Sequence, residues 1–387
     1  MKDFELCIPT KIVFGKNRIT EIAGYAKEYG KTLLLVYGMG SIKKSGVYDK
    51  VVGALRKEGF KIIEHPGVKS NPVLTHVKKG INLAKKEKVD VILAVGGGSV
   101  VDESKAIAAG ACYEGDVWDF FEDKAKIRNA LPIITILTIS ATASEMNNVS
   151  VVTNEEKKQK YGFGDDHFYP KVSILDPTVT YTIPANYSAY SGVDVIIHAI
   201  EGYFTHEDKW LPIQDRYVEG IVKTVIECTD KILKDPQDYE SRATFMWAAT
   251  LAFNGISTAG VDGASVPNHM FAHILGAHYD IAHGAALSII VPAWMKYSYK
   301  ENLPQFVRFS ENVFGIKKGN DEEASLAGIN ALKNWFKKIG APISFHDANL
   351  PTDELDKLAD SVIELSELWD IKGYTKEIIL DILKLCL

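Results

Sequence analysis

The sequence predicts an α/β N-terminal domain followed by an all-α C-terminal domain. Three observations carry that prediction. Short buried-strand runs alternate with amphipathic stretches through the first half, glycine-rich turns close several of those runs, and long helical patterns dominate from about residue 188 onward. Strands alternating with helices imply a mostly parallel sheet covered on both faces. A chain of 387 residues exceeds one typical core. The expected domains are 1–180 and 181–387, divided just after Asp176-Pro177.

Thr32-Leu33-Leu34-Leu35-Val36-Tyr37 is a continuous apolar run that ends in Gly38-Met39-Gly40, and so reads as a buried strand. Residues 51–58 then read as a helix, 61–64 as a strand and 77–88 as a helix. The run from Val89 to Val95 is a second buried strand, closed by Gly96-Gly97-Gly98-Ser99 and followed by a helix over about 101–109. A third strand, 132–137, leads into the small hydroxyl-bearing residues of 138–144. In the second half the periodicity predicts helices over 215–232, 241–253 and 322–338, and only Ala286-Leu287-Ser288-Ile289-Ile290-Val291 interrupts as a β-branched run. No internal repeat or low-complexity tract is present.

Composition narrows the function classes. Hydrophobic residues at 46% and charged residues at 24% are ordinary for a soluble globular protein. The net charge of -6 and the scattered, acid-flanked lysines argue against nucleic acid and anionic membrane as partners. The four cysteines form no CxxC pair, so neither a thiolate metal site nor a disulfide framework is expected, and reduced cytosol fits. Charges at Lys2, Asp3 and Glu5 stand where a signal peptide needs its apolar stretch. No apolar run approaches the roughly 20 residues of a membrane helix. The expectation is a soluble, cytoplasmic protein.

The turn Gly96-Gly97-Gly98-Ser99, between a buried strand and a helix, offers bare backbone N–H groups and a helix dipole to a pyrophosphate. Ser99 adds a hydroxyl, and Asp102 is placed to orient the loop or to accept from a cofactor hydroxyl or amide. A tight turn that binds nothing is the bland reading, which three consecutive glycines weaken. In the earlier turn, Gly38, Gly40 and Ser41 are followed by Lys43 and Lys44 with no Asp or Glu nearby. An acidic residue there would take the ribose 2'-hydroxyl of NAD, whereas Ser41 and the lysines suit the 2'-phosphate of NADP. The sequence therefore leans to NADP, with NAD as the alternative and a solvated helix start as the bland reading of both lysines. Thr138, Thr142 and Ser144 end a third strand at the same sheet edge, where open α/β sheets bind ligands.

The helical half concentrates histidine. Asp194 and His198 stand one helical turn apart, as do His269 and His273, and His283 follows beyond Gly276. Side chains at that spacing share a helix face, with Cβ atoms about 5–6 Å apart. A lone buried histidine is commonly a satisfied core residue. Several with an aspartate in apolar helices would be costly to bury without a common partner. Nitrogen and oxygen donors without sulfur fit Fe2+ or Zn2+. Spacing leaves open which of His269 and His273 ligates.

These segments resemble the iron-containing alcohol dehydrogenase family, in its butanol dehydrogenase and broad aldehyde reductase branch. The resemblance runs nearly end to end, through residues 8–16, 67–72, 96–102, 138–145, 175–177, 194–198 and 269–284. It implies an α/β nucleotide-binding domain followed by a helical metal-binding and substrate domain. It implies that Asp194, His198, His269 and His283 bind one divalent metal, Fe2+ first and Zn2+ second, while His273 faces the site without ligating. It places cofactor contacts at Gly38, Gly40, Ser41, Asn71, Gly97, Gly98, Ser99, Asp102, Thr138, Thr142, Ser144 and Lys160. Met39 and Ala143 depart from the family pattern, each replacing a glycine. The resemblance further implies a homodimer, with the apolar strand 11–14 pairing across subunits.

The expected reaction is hydride transfer between NAD(P) and a small primary alcohol or aldehyde, with the metal as Lewis acid and His273 as proton relay. A glycerol dehydrogenase-like polyol oxidoreductase is the nearer alternative. A dehydroquinate synthase-type lyase is the more distant one, because a phosphorylated substrate needs basic residues that the segments around the histidines lack. Trp118, Phe120, Phe253 and Met270 are candidates for an apolar pocket, with core packing as their bland reading.

Overall fold

The computed structural model describes residues 1–208 and 210–387. Packing divides the chain into an α/β unit, Cys7–Ile183 with Pro236–Thr250, and a helical unit, Met1–Leu6 with Pro184–Asp235 and Leu251–Leu387. Two segments fall differently from a single division at residue 180. The N-terminal residues join the helical unit, where Lys2 N–H donates to the Gly260 carbonyl at 2.8 Å. Residues 236–250 join the α/β unit, where Met246 packs on Leu137 and Leu175. Periodicity reports the face that a helix buries but not the core against which it is buried, so the sequence had no signal for either segment.

In the α/β unit the strands are β1 (Lys11–Phe14), β2 (Thr32–Gly38), β3 (Lys61–Val68), β4 (Val91–Gly96), β5 (Ile133–Leu137), β6 (Val149–Asn154), β7 (Gln159–Gly164) and β8 (Val172–Leu175). Its helices are α1 (Ile22–Ala26), α2 (Ser41–Lys44), α3 (Val47–Lys57), α4 (Leu74–Glu87), α5 (Gly98–Ala111) and α6 (Trp118–Phe121). Six strands form one parallel sheet in the order β1-β8-β5-β4-β2-β3. The central strands β4 and β5 are buried along their whole length, which is why they read as unbroken apolar runs. By contrast α3 buries Val47, Val51, Val52 and Leu55, the stripe of a helix wet on one side.

β1 pairs in parallel with β8 of the same chain, Lys11 opposite Val172 through Phe14 opposite Leu175. The strand expected to pair across subunits is thus held at the edge of its own sheet. The antiparallel hairpin β6–β7 was not anticipated, because the charged turn around residues 155–158 hides two short strands.

The helical unit contains α7 (Ala185–Thr205), α8 (Pro212–Lys234), α10 (Pro267–Tyr279), α11 (His283–Ser298), α12 (Leu303–Phe314), α13 (Asp321–Lys338), α14 (Leu355–Leu368) and α15 (Lys376–Lys384). Helix α9 (Tyr239–Ala252) belongs to the α/β unit as far as Thr250. The β-branched run 286–291 is not a strand: it lies inside α11, in which Gly284 to Met295 are all buried. A helix apolar on every side has no 3.6-residue signature, so its composition misleads. Among the described residues no helix is long and apolar enough to cross a membrane.

Candidate active site

The strand order of the large sheet reverses between β2 and β4, since β2 leads outward to β3 while β4 leads the other way to β5. Such a switch point opens a crevice at the carboxyl ends of the strands. Gly38 ends β2 there, with Gly40 and Ser41 just beyond it, and Gly97, Gly98 and Ser99 follow β4. Gly40 has a φ of 112°, a left-handed turn that glycine permits, and Ser41 opens α2. Gly97 caps α5, whose first residue is Gly98.

These two glycines also permit a close approach. A Cβ on Gly97 would lie 2.0 Å from Ile139 Cγ2, and one on Gly98 would lie 2.3 Å from Thr142 Oγ1. The α5 N-terminus is therefore seated directly against the segment after β5 that carries Thr138, Thr142 and Ser144. The Ser99 hydroxyl donates to the Ser70 carbonyl, drawing in the loop that holds Asn71. Lys160 on β7 donates to Asn71 Oδ1 at 2.9 Å. The departures from glycine are accommodated: Met39 projects into solvent, and Ala143 takes the left-handed φ of 51° itself.

Asp102 is buried and accepts from the Ser144 hydroxyl at 2.5 Å. Burial raises its carboxyl pKa, partly opposed by Lys105. Lys105 is the residue here that sequence reasoning missed. Its ammonium is fully buried and donates to Ser144 Oγ, Asn147 Oδ1 and the carbonyls of Asn147 and Val149 at 2.7–3.1 Å. Burial pushes its pKa down, and Asp102 and Glu145 partly restore it. A lysine that follows Asp102-Glu103-Ser104 looks like part of an exposed polar stretch, so its role as a bolt between α5 and the 142–149 segment had no signal in spacing.

In the helical unit, α7 brings Asp194 and His198 onto one face, and their facing atoms are 3.4 Å apart, Oδ1 to Nδ1. His269 on α10 approaches the same Asp194 Oδ1 to 3.8 Å through Nε2, and His283 at the start of α11 to 3.7 Å through Nε2. Ligands of one tetrahedral ion with bonds of about 2.1 Å lie roughly 3.4 Å from one another. The three approaches to Asp194 Oδ1 are near that spacing, and the donor atoms of Asp194, His198 and His269 all lie within 4.8 Å of one another. Gly284 makes the meeting possible. A Cβ there would stand 2.1 Å from the Tyr190 carbonyl oxygen, so only glycine lets α11 begin against the turn of α7 preceding Asp194.

His269 Nδ1 is paired with Glu201 Oε2, and the other Glu201 oxygen accepts from the backbone N–H groups of Asn268 (2.5 Å) and His269 (3.2 Å). A ring that donates through Nδ1 directs a bare Nε2 into the cluster, the usual support of a metal-bound histidine. Asp194, His198 and Glu201 recur at one and two turns along one helix. That spacing could have exposed Glu201, which the sequence reading passed over.

Two nitrogens of this cluster, His198 Nδ1 and His269 Nε2, are buried without a hydrogen-bond partner. Such atoms are costly unless a cation takes their lone pairs, so the residues fit a divalent ion. Burial drives His198 down to about 4, with Asp194 opposing, and keeps its ring neutral. Burial pulls His269 the same way, but Glu201 and Asp194 outweigh it and raise the ring to about 9, so the two carboxylates favour a positive charge at Nε2, a proton or an ion in its place.

His273 is buried beside the cluster, its ring centroid 5.4 Å from that of His283 and 6.4 Å from that of His269. Of the candidate pocket residues, Phe253 lies against His198 with centroids 4.8 Å apart. Trp118 and Phe120 instead belong to an aromatic core with Tyr113, Phe121, Tyr161 and Phe163. Met270 is fully buried.

A switch-point crevice with glycine turns and a nitrogen–oxygen cation cluster define a metal-associated, dinucleotide-type oxidoreductase plan. The family profile described as iron-containing alcohol dehydrogenase matches residues 9–177, and that of the family's C-terminal part matches 188–387. A probable NADH-dependent butanol dehydrogenase of Bacillus subtilis is 42% identical over 99% of both chains. The NADPH-dependent aldehyde reductase YqhD of Escherichia coli is 37% identical over 94% of both. A crystal structure of NADH-dependent butanol dehydrogenase A from Thermotoga maritima superposes with a TM-score of 0.97 at 47% identity, covering 100% of this chain and 99% of that one. The chain belongs to the iron-containing alcohol dehydrogenase family. The family, the fold class and the alcohol dehydrogenase/aldehyde reductase reaction class expected from the sequence are thereby borne out.

Proposed function

We propose that this chain is an NAD(P)-linked, metal-dependent reductase of small aldehydes, and the corresponding alcohol dehydrogenase, using Asp194, His198, His269 and His283 to hold one divalent ion. The observation that carries the reading is the approach of three imidazole nitrogens to within 3.4–3.8 Å of one aspartate oxygen. When bound, Fe2+ (or Zn2+) supplies Lewis acidity to a carbonyl oxygen, and the dinucleotide supplies the hydride. The protein's part is to orient and to shield. Glu201 fixes the His269 ring, and the buried faces of α7, α10 and α11 keep water from the nitrogens. His273, next to but outside the ligand group, holds the proton that the developing alkoxide takes up.

The dinucleotide is proposed to lie along Gly38, Gly40, Ser41, Asn71, Gly97, Gly98, Ser99, Asp102, Thr138, Thr142, Ser144 and Lys160. Asp102 and Ser144 act through their mutual hydrogen bond and set the shape of this edge. Lys43 and Lys44 in α2 support NADP(H). A second reading, NAD(H), is favoured by Glu64, whose carboxylate stands 3.8 Å from the Lys43 ammonium and accepts from the Tyr37 and Tyr48 hydroxyls. The Bacillus and Thermotoga relatives are named NADH-dependent, the E. coli relative NADPH-dependent. The free cysteines suit the reducing cytosol, and a homodimer is the expected assembly.

The test adds NADPH or NADH and butyraldehyde to metal-loaded protein and follows the nicotinamide absorbance. Net oxidation of cofactor is expected, and Lys43→Ala should raise KM for NADPH while sparing NADH. An absence of turnover with either cofactor across a panel of aldehydes and polyols overturns the reading.

A further inference from the structure

A second group of metal-type donors lies in the α/β unit, made of residues assigned above to neither ion nor cofactor, although Glu103 directly follows Asp102 in α5. His65 within β3, His76 in the first turn of α4 and Glu103 in α5 converge, with their donor atoms all within 4.8 Å of one another. His65 Nε2 is 3.0 Å and His76 Nδ1 2.5 Å from the same oxygen, Glu103 Oε1. The two rings stack with centroids 4.1 Å apart and planes splayed by 28°. Glu103 is fully buried, and its second oxygen, Oε2, is buried without a hydrogen-bond partner.

His76 Nε2 faces the Pro66 carbonyl oxygen at 3.1 Å. A carbonyl only accepts, so Nε2 carries the hydrogen. In the neutral ring Nδ1 is then a bare lone pair, and it faces a carboxylate oxygen. Two acceptors at that distance need something positive between them, either a proton or a cation. A histidine whose outer N–H is tied to a backbone carbonyl presents its inner nitrogen as a ligand, the usual support of a metal-bound ring. A proton between His76 and Glu103 and a neutral His65 donating through Nε2 would satisfy Glu103 Oε1 but leave the buried Oε2 without a partner, and a cation held by the three side chains would engage it.

We propose that His65 Nε2, His76 Nδ1 and the Glu103 carboxylate form a second divalent-cation site, of the zinc type, with solvent completing the sphere on the half-exposed side of His76. Two imidazoles and one carboxylate are an established donor set for such an ion. Loading it at bond lengths near 2.1 Å requires the His76–Glu103 separation to open by roughly 1 Å. His76 is the ligand able to move. It sits on the first turn of α4 with its side chain partly exposed, whereas His65 and Glu103 are enclosed. The site joins β3, α4 and α5, so its occupancy would bind the start of α4 to the helix that follows the Gly97–Ser99 turn.

The test counts metal. The His269→Ala chain, in which the first cluster is disabled, is dialysed against Zn2+ with a competing chelator, and bound metal is measured per chain. One equivalent is expected, and none in His269→Ala/His76→Asn. Co2+ in place of Zn2+ should give a visible d–d absorption that the second substitution abolishes. Glu103→Gln, which preserves volume, is the parallel variant, and near-ultraviolet circular dichroism confirms that each chain is folded. Zinc-free His269→Ala protein, or retention of the equivalent in both folded double variants, overturns the proposal and leaves the cluster as a protonated histidine–carboxylate group.

Discussion

In the helical unit a single rod, α7, carries Asp194, His198 and Glu201 at successive turns, while α10 and the first residue of α11 bring His269, His273 and His283. In the α/β unit His65, His76 and Glu103 come one each from a strand and two helices, and the contacts of Glu103 with the histidines span 38 and 27 residues of chain. Both groups put imidazole against buried carboxylate, yet only the first could be read from the sequence. Donors repeated on one helix leave a turn-spaced signature, whereas donors gathered by the packing of separate elements leave none until the fold is known.

The largest expected effect tests the first cluster alone. His269→Ala should remove the cluster's ion and lower turnover by at least about 10³-fold, the scale on which lost transition-state electrostatics acts, as read by metal analysis and steady-state kinetics. His273→Ala should keep that ion and lower kcat by about 10²-fold or more. Loss of metal in this variant as severe as in His269→Ala would abolish the distinction drawn between the two rings. Glu201→Gln should weaken metal affinity by about 10–100-fold with little change in kcat at saturating metal, the usual cost of losing a ligand's support. Chelator competition measures it. The smallest effect is a control outside both groups. Asn320 caps α13 by accepting from Glu323 N–H at 3.1 Å, and Asn320→Ala should cost about 1 kcal/mol in thermal unfolding. Metal content should be unchanged, so that ion loss in the other variants cannot be ascribed to lowered stability alone.

Legibility followed the same physics through the rest of the molecule. Strands β2, β4 and β5 and the glycine turns after β2 and β4 were evident because burial on both faces produces nearly continuous apolar runs, those of β2 and β4 ended by glycine. Which of His269 and His273 is the proposed ligand was not in the spacing, and the proposed set that includes His283 came from family resemblance. The hidden determinant is Gly284, whose missing side chain lets α11 start against Tyr190. Lys105 was passed over because a buried charge announces itself only through its partners, whereas Glu201 stood at helical spacing from Asp194 and His198 and was overlooked. The run 286–291 misled for the converse reason, since the all-apolar surface of a central helix has the composition of a strand.

The ladder of Asp194, His198 and Glu201 on one helix has a consequence for how this protein fails. Because two proposed donors and the brace of a third ride on the same rigid cylinder, thermal agitation cannot peel them away separately. Fraying at either end of α7 leaves the ladder intact, and melting of its middle dismantles all of it at once. Release of the ion and collapse of the helical core should therefore appear on heating as one sharp event rather than a gradual leak.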